Sequence, residues 1–435
     1  MRAVAFALLF LTYLPMTFVT PFIGVLLWVW ISLMAPHTQI YGMLTFSYAL
    51  VIAAVTVLSF LLSKERSLPP NTATTWALIG MVVFATAAQL GAYDFDRSYS
   101  RWDTIWKGVF VSLLSLPLLT TRLRMHAYVW VFVLSVGYFG VKGGLFSFMT
   151  GGVHRVSAQG GNMLGDNNHL ATGLVMTIPM VMYLAIHSAH RFMRIACWAY
   201  TFLMFVGSIF TYSRGGFLAM MGAMGVLWLR SSFKMATTIA FAVFAVVVVM
   251  FAPDALWERF GSIDDFRQDG SAMGRLDIWR VALQLGLSHP LTGIGFHGTT
   301  LPFLVAQVDG TVQPRAIHNS YLEVFTEAGI FAFMCHLLLF LAMARYLQQV
   351  RRSTRGLAEW KWAFDLASML QVSIVGYAIG SFFLSLGFFD GWWFLVILGT
   401  ALHVHVRRVL GRSASESAPR RPFGLEHPPL GTMAR

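Results

Sequence analysis

Charge is what this sequence has least of. Asp, Glu, Lys and Arg make up 11% of its 435 residues, against about a quarter in a soluble domain, which excludes an ordinary water-facing globule. Acidic residues are the scarcer sign, 19 against 31 Lys and Arg, leaving a formal charge of +12. Cysteine is nearly absent: Cys197 and Cys335 each lie inside an apolar run, without CxxC or Cys/His spacing, so neither a disulfide framework nor a zinc site is indicated. A basic-aromatic module is also missing, so the positive charge does not indicate nucleic-acid binding. It reads instead as loop bias in a membrane protein, with attraction to anionic membrane lipid or phosphate.

What the chain does have is long apolar runs. It is 57% hydrophobic, with a mean hydropathy of +0.66. Runs of about 17 to 25 residues, each sufficient to cross the hydrocarbon layer, recur along it. They predict helices, since a closed barrel needs short alternating strands. The expected fold is therefore all-α, a polytopic helical bundle with spans at 3–19, 22–35, 43–63, 74–91, 104–120, 126–147, 169–187, 192–211, 213–230, 234–252, 322–347, 363–386 and 389–407. The first run resembles a signal peptide but lacks a small-x-small cleavage site, so it is read as mature structure.

Basic clusters such as Lys64/Arg66, Arg122/Arg124, Arg191/Arg194, Arg230/Lys234, Arg351/Arg352 and Arg407/Arg408 mark cytoplasmic ends. From residue 43 onward the spans then alternate consistently. The loops 92–103, 148–168 and 253–321 fall on the opposite side, periplasmic in a bacterium. A cytoplasmic N-terminus requires residues 1–35 to form a broken or re-entrant pair around Pro15 and Pro21. That gives about 12 crossings, or 13 if both early runs span. Four regions follow: 1–190, an N-terminal membrane region; 191–347, the region containing the candidate chemistry and the large loop; 348–408, the last membrane helices; and 409–435, a Pro- and Ser-rich tail expected to be a disordered cytoplasmic segment.

Polar residues collect at the predicted outer face. In "GRLDIWRVALQLGLSHP", Leu276, Trp279, Leu283 and Leu287 have helical spacing, predicting an amphipathic helix on the membrane or capping the bundle. Arg275 stands near its start, where a cation opposes the macrodipole and favours a nearby anion. In "TYSRGG", Arg214 joins two spans with almost no loop, and Gly215 and Gly216 permit close approach. Gly293 and Gly295 of "GIGFHG" do the same. Ser320 and Glu323 fit the S-x-x-E capping box of a span, which leaves His318 and Asn319 just outside it. The positive end of that helix disfavours an imidazolium, so His318 is biased toward its proton-accepting form. Arg155, Asp166 and Asn167 in the 148–168 loop are candidates for a polar ligand, Asp166 or Asn168 also for a helix cap. "DFD" at 94–96 is the one D-x-D that suggests a divalent cation, but a lone D-x-D is common by chance.

Two guanidiniums clamp a diphosphate without metal, and a neutral His removes a proton from a hydroxyl. Arg214, Arg275 and His318 together fit glycosyl transfer from a lipid-linked diphosphate sugar. "TYSRGG", "GRLDIWRVA", "LTGIGFHG" and "HNSYLEVFTEAG" resemble the successive motifs of the O-antigen ligase and polymerase superfamily. With "FIGVLLWVWISLMAPH", "GYFGVKGGLFSFMTGG" and "GDNNHLA", the chain further resembles O-glycosylation ligases associated with exosortase A systems. The resemblance implies metal- and cofactor-independent transfer from an undecaprenyl-diphosphate glycan to a hydroxyl acceptor on a protein or an envelope glycolipid. It assigns catalytic roles to His318, Arg275 and Arg214, with Asn319, Tyr321, Glu323, Trp279, Gly293, Gly295, Arg155, Asp166 and Asn167 around the substrates. A polysaccharide polymerase or lipid A-core ligase would use the same site. A lipid-linked glycan flippase is the alternative of another class, but it would carry polar residues along a route between the faces.

Overall fold

A computed structural model describes residues 2–41, 47–158, 163–231, 234–251 and 270–417. Parts of the expected 148–168 and 253–321 loops, and the tail from residue 418, lie outside the described residues. Every described element is helical: α1 (Arg2–Met16), α2 (Pro21–Met34), α3 (Tyr48–Leu62), α4 (Ala73–Leu90), α5 (Phe95–Ser115), α6 (Arg122–Thr150), α7 (Asn167–His187), α8 (Arg191–Ile209), α9 (Arg214–Arg230), α10 (Lys234–Phe251), α11 (Gly270–Ser288), α12 (Pro302–Val308), α13 (Ser320–Thr354), α14 (Lys361–Ser381) and α15 (Asp390–Ser417), with short 3-10 turns between some of them.

Among the described residues, seven helices are long and apolar enough to cross a membrane: α4, α6, α7, α8, α13, α14 with its preceding turn, and α15 as far as Gly411. They coincide with seven expected spans to within a few residues. The chain is thus a multi-pass membrane protein. Helices α1 to α3 are apolar but shorter, and Pro15 and Pro21 flank the break between α1 and α2. Two expectations need correction. α5 begins at Phe95, so most of the expected 92–103 loop is helix; the Asp94 carboxylate caps it by accepting the Arg97 N–H at 3.0 Å. α15 runs on to Ser417, so the first residues of the expected disordered tail are helical.

α7 is the centre of the bundle, buried along most of its length against α6, α8, α9 and α14. α13 packs on α4, α14 and α15, and one continuous apolar core joins these layers. At the α6/α8 contact a Cβ on Gly144 would stand 2.2 Å from the Leu203 carbonyl oxygen, and one on Gly207 2.4 Å from that of Gly140. Close backbone approach of this kind is how helices associate where no water drives them together.

α13 is broken. Gly329 has φ 80° and ψ 178°, a region essentially restricted to glycine, and it separates the short segment 320–328 from the long span. The break frees backbone groups that need partners. The "GIG" loop supplies them: Ile294 N–H donates to the Thr326 carbonyl at 3.0 Å, Gly295 N–H to that of Glu327 at 3.1 Å, and Ile330 N–H to that of Pro290 at 2.8 Å. A Cβ on Gly293 would meet the Glu327 carbonyl at 2.5 Å. The two glycines called as substrate contacts therefore lock the broken helix to the loop before it.

That loop, α11 and α12 form a lobe with its own apolar core of Ile278, Val281, Leu285, Ile294, Leu304 and Val305. The packed face of α11 is thus Ile278/Val281/Leu285. Of the expected stripe only Trp279 packs against it; Leu276, Leu283 and Leu287 are exposed. α11 is apolar on two sides, one against the lobe and one outward.

Candidate active site

His318 stands in the last turn of chain before α13, with φ +52°. The left-handed region is strained for a residue with a side chain, and such strain persists only where the surroundings hold it. Three contacts do so. The His318 N–H donates to Ser385 Oγ at 3.0 Å. The Trp279 indole N–H donates to the carbonyl of the preceding Ile317 at 2.7 Å, and its ring stands edge-on to Phe382. Asn319 then takes extended geometry and caps α13, its Oδ1 accepting Tyr321 N–H at 3.1 Å and Leu322 N–H at 3.0 Å.

This corrects the capping-box expectation. Asn319 is the cap, while the hydroxyl of Ser320 donates to the Leu384 carbonyl at 2.7 Å and accepts Leu386 N–H at 2.8 Å. Glu323 is buried and accepts the Gly387 N–H at 3.1 Å. Ser320 and Glu323 therefore pin the start of α13 to the loop entering α15, an arrangement that local sequence rules do not reveal.

The His318 ring is half-buried, and its Nδ1 is buried without a hydrogen-bond partner among the described residues. Burial, then the Arg275 guanidinium, with smaller contributions from His169 and Arg315, push its pKa down to about 4; Asp166 pulls the other way. The imidazole is neutral at pH 7. Arg315, which the sequence left without a role, lies so close to α11 that a Cβ on Gly274 would be 2.3 Å from its Nη1. Arg275 and Arg315 thus both act on His318 from adjoining positions.

Arg214 opens α9 at the same end of the bundle. Ser213 Oγ caps that helix through Gly216 N–H at 3.0 Å, and a Cβ on Gly216 would lie 2.3 Å from that of Ala171. Gly215 rests against Phe383, with 3.1 Å to a built Cβ, two residues before Ser385. Asn167 Nδ2 donates to the Thr211 carbonyl at 2.7 Å, and Asp166 caps α7 through Asn168 and His169 N–H at 2.9 and 3.2 Å. Arg155 is exposed and acts on Tyr212. Tyr321 donates its hydroxyl to the Ala378 carbonyl at 2.9 Å, a structural contact.

Sequence reading missed Arg101 of α5. It is the cation whose charge acts on Glu323, Glu327 and Asp390, and Glu327 Oε1 accepts the His297 N–H at 2.9 Å. The available signal was Glu323 and Glu327 spaced i, i+4 at the head of an apolar helix, which requires a compensating partner.

Comparison with known families bears on the chain as a whole rather than on single side chains. Residues 199–337 match the family model described as O-antigen ligase. Residues 1–189 match a family of unknown function. No curated protein matches the chain. The matched ligase region contains Arg214, Arg275, the "GIG" loop, Arg315, His318 and the broken start of α13. That family is one of membrane proteins that join a lipid-linked glycan to an acceptor. Residues 199–337 are thus an O-antigen ligase domain, which supports a place in the O-antigen ligase and polymerase superfamily.

Proposed function

We propose that this protein transfers a glycan from an undecaprenyl-diphosphate carrier to an acceptor hydroxyl, on a protein, at the periplasmic side of a bacterial inner membrane. The observation that carries the reading is a neutral, half-buried His318 flanked by Arg275 and Arg315. The imidazole takes the proton of the acceptor hydroxyl as its oxygen attacks the anomeric carbon. The bond from that carbon to the diphosphate breaks, and the diphosphate leaves with the electron pair. Arg275 and Arg315, with Arg214 from α9, stabilise the departing charge, the work a metal would otherwise do. The protein acceptor follows from the likeness of the first half to exosortase-associated O-glycosylation ligases.

The test is deletion in the native host, followed by mass spectrometry of secreted glycoproteins and of surface polysaccharide. Loss of glycan from protein alone supports the reading. Loss from polysaccharide or lipid A-core alone replaces the acceptor, and no change in any glycan removes the function.

A further inference from the structure

A second polar site lies in the other half of the chain. α2, α5 and the start of α15 enclose a cavity of about 500 Å³, within the size range of small-ligand sites. Among the described residues, four buried side-chain polar atoms without a hydrogen-bond partner belong to walls of this cavity: Trp28 Nε1, His37 Nδ1, Arg101 Nε and Asp390 Oδ1. Such atoms are rare in folded chains, and a concentration of them calls for a partner. Two are N–H donors, one is a carboxyl oxygen, and the imidazole serves either way. Their partner must both give and accept hydrogen bonds.

Charge narrows its chemistry. Arg101 and Lys107 line the cavity, but so do Asp103 and Asp390. Lys107 is paired with Asp103, and Asp390 accepts the Ser32 hydroxyl. With two basic and two acidic walls there is no cationic field to hold an anion, unlike the surroundings of His318. The Trp28 and Phe389 rings add apolar surface beside the polar atoms. A sugar ring, with hydroxyls at its edge and C–H groups on its faces, meets each of these requirements.

The cavity adjoins the reacting site. Met163 lines it, lies 3.3 Å by its sulfur from Arg101 Nη1, and meets His169 Nδ1 with its carbonyl at 2.9 Å. His169 is one of the groups that act on His318. We propose that this cavity binds an uncharged, hydroxyl-rich saccharide unit, carried by the glycan donor or by the acceptor. Only the assignment to donor or acceptor rests on the proposed function.

The test uses the full chain in lipid nanodiscs and saturation-transfer NMR. The probe is the native host's carrier glycan, released by mild acid and dephosphorylated, with inorganic diphosphate as competitor. The wild type and His318→Ala should bind the glycan alike, and diphosphate should not displace it. Trp28→Phe removes an N–H donor and Asp390→Asn turns one carboxyl acceptor into a donor, a loss of one hydrogen bond that corresponds to about tenfold weaker binding. Thr104→Trp, at the exposed rim, should block binding without touching the buried network. In the transfer assay, a raised KM for the donor in Trp28→Phe assigns the sugar to the donor, and a raised KM for the acceptor assigns it there. Absence of a glycan signal in the wild type, a signal unchanged in both Trp28→Phe and Thr104→Trp, or displacement by diphosphate overturns the site. A wild type that transfers no glycan yet binds it in a Trp28-dependent way removes the function and keeps the site.

Discussion

The backbone N–H of His318 donates to Ser385 Oγ at 3.0 Å, tying the turn that precedes the cap of α13 to the loop before α15. This bond holds a strained histidine in place at the meeting point of segments 67 residues apart in sequence. It also separates backbone from side-chain roles, since the ring is left to face Arg275 and Arg315.

Replacing His318 should therefore affect activity and stability differently. His318→Ala is expected to lower transfer by roughly 10²- to 10⁴-fold, the usual worth of a general base, at unchanged protein abundance. His318→Gly should be equally inactive, yet more stable than His318→Ala by about 1 kcal/mol, because glycine tolerates φ +52°. Thermal unfolding of the two variants checks the ordering. Full activity in either would overturn the assignment.

The pH profile follows from the same residue. With a folded pKa of about 4, against about 6.5 in an unfolded chain, His318 stays unprotonated through pH 5 to 7. Its contribution to kcat/KM should fall only as pH approaches 4. The linkage sign is that of a depressed histidine: between those two values the unfolded chain binds the extra proton, so stability falls as pH drops through that window. A bound diphosphate would offset the arginine charges and raise the pKa, so the acid limb of kcat should lie above that of kcat/KM. Coincident limbs near 6.5 would contradict this.

Arg275→Ala and Arg315→Ala should each lower transfer by about 10²-fold. Both should also move the acid limb of kcat/KM upward, since each guanidinium lowers the His318 pKa. A purely structural role for either residue would leave that limb in place. Arg315→Lys should restore the pH profile more fully than the rate, because an ammonium supplies charge without the two-pronged geometry.

Transfer is expected to persist in excess EDTA. The charge stabilisation is assigned to guanidiniums, and Asp94 of "DFD" is occupied as the cap of α5. Complete loss of activity on chelation, restored by a divalent cation, would reject that assignment.

Gly329→Ala should be among the most damaging small substitutions in the chain. Its Cβ would lie 2.3 Å from the Leu291 carbonyl oxygen, at φ +80°. A cost of about 1–3 kcal/mol from backbone strain alone, plus the clash, should appear as reduced abundance or a lowered Tm in detergent.

Much of this was legible in the sequence. Of the thirteen spans that hydropathy placed, seven are helices long and apolar enough to cross a membrane among the described residues, and the motif strings pointed to His318, Arg275 and Arg214. The S-x-x-E pattern was misleading because Ser320 and Glu323 find stronger partners in the Leu384–Gly387 backbone than in their own helix. The α11 stripe reads as a helix on the membrane or capping the bundle; the helix is there, apolar on two sides, and periodicity alone does not say which side packs.

The sequence by itself determined that the chain is helical and membrane-spanning, because apolar length and 3.6-residue periodicity are local properties. It also supplied the residue types that suit glycan transfer. Tertiary structure decided what surrounds them. The break at Gly329, the pairing of Ser385 with His318, the approach of Arg315 to α11, and the charge of Arg101 acting on Glu323, Glu327 and Asp390 each join segments distant in the chain. Such neighbours are set by how helices pack and where buried polar groups find partners, and neither is encoded in any single stretch of residues.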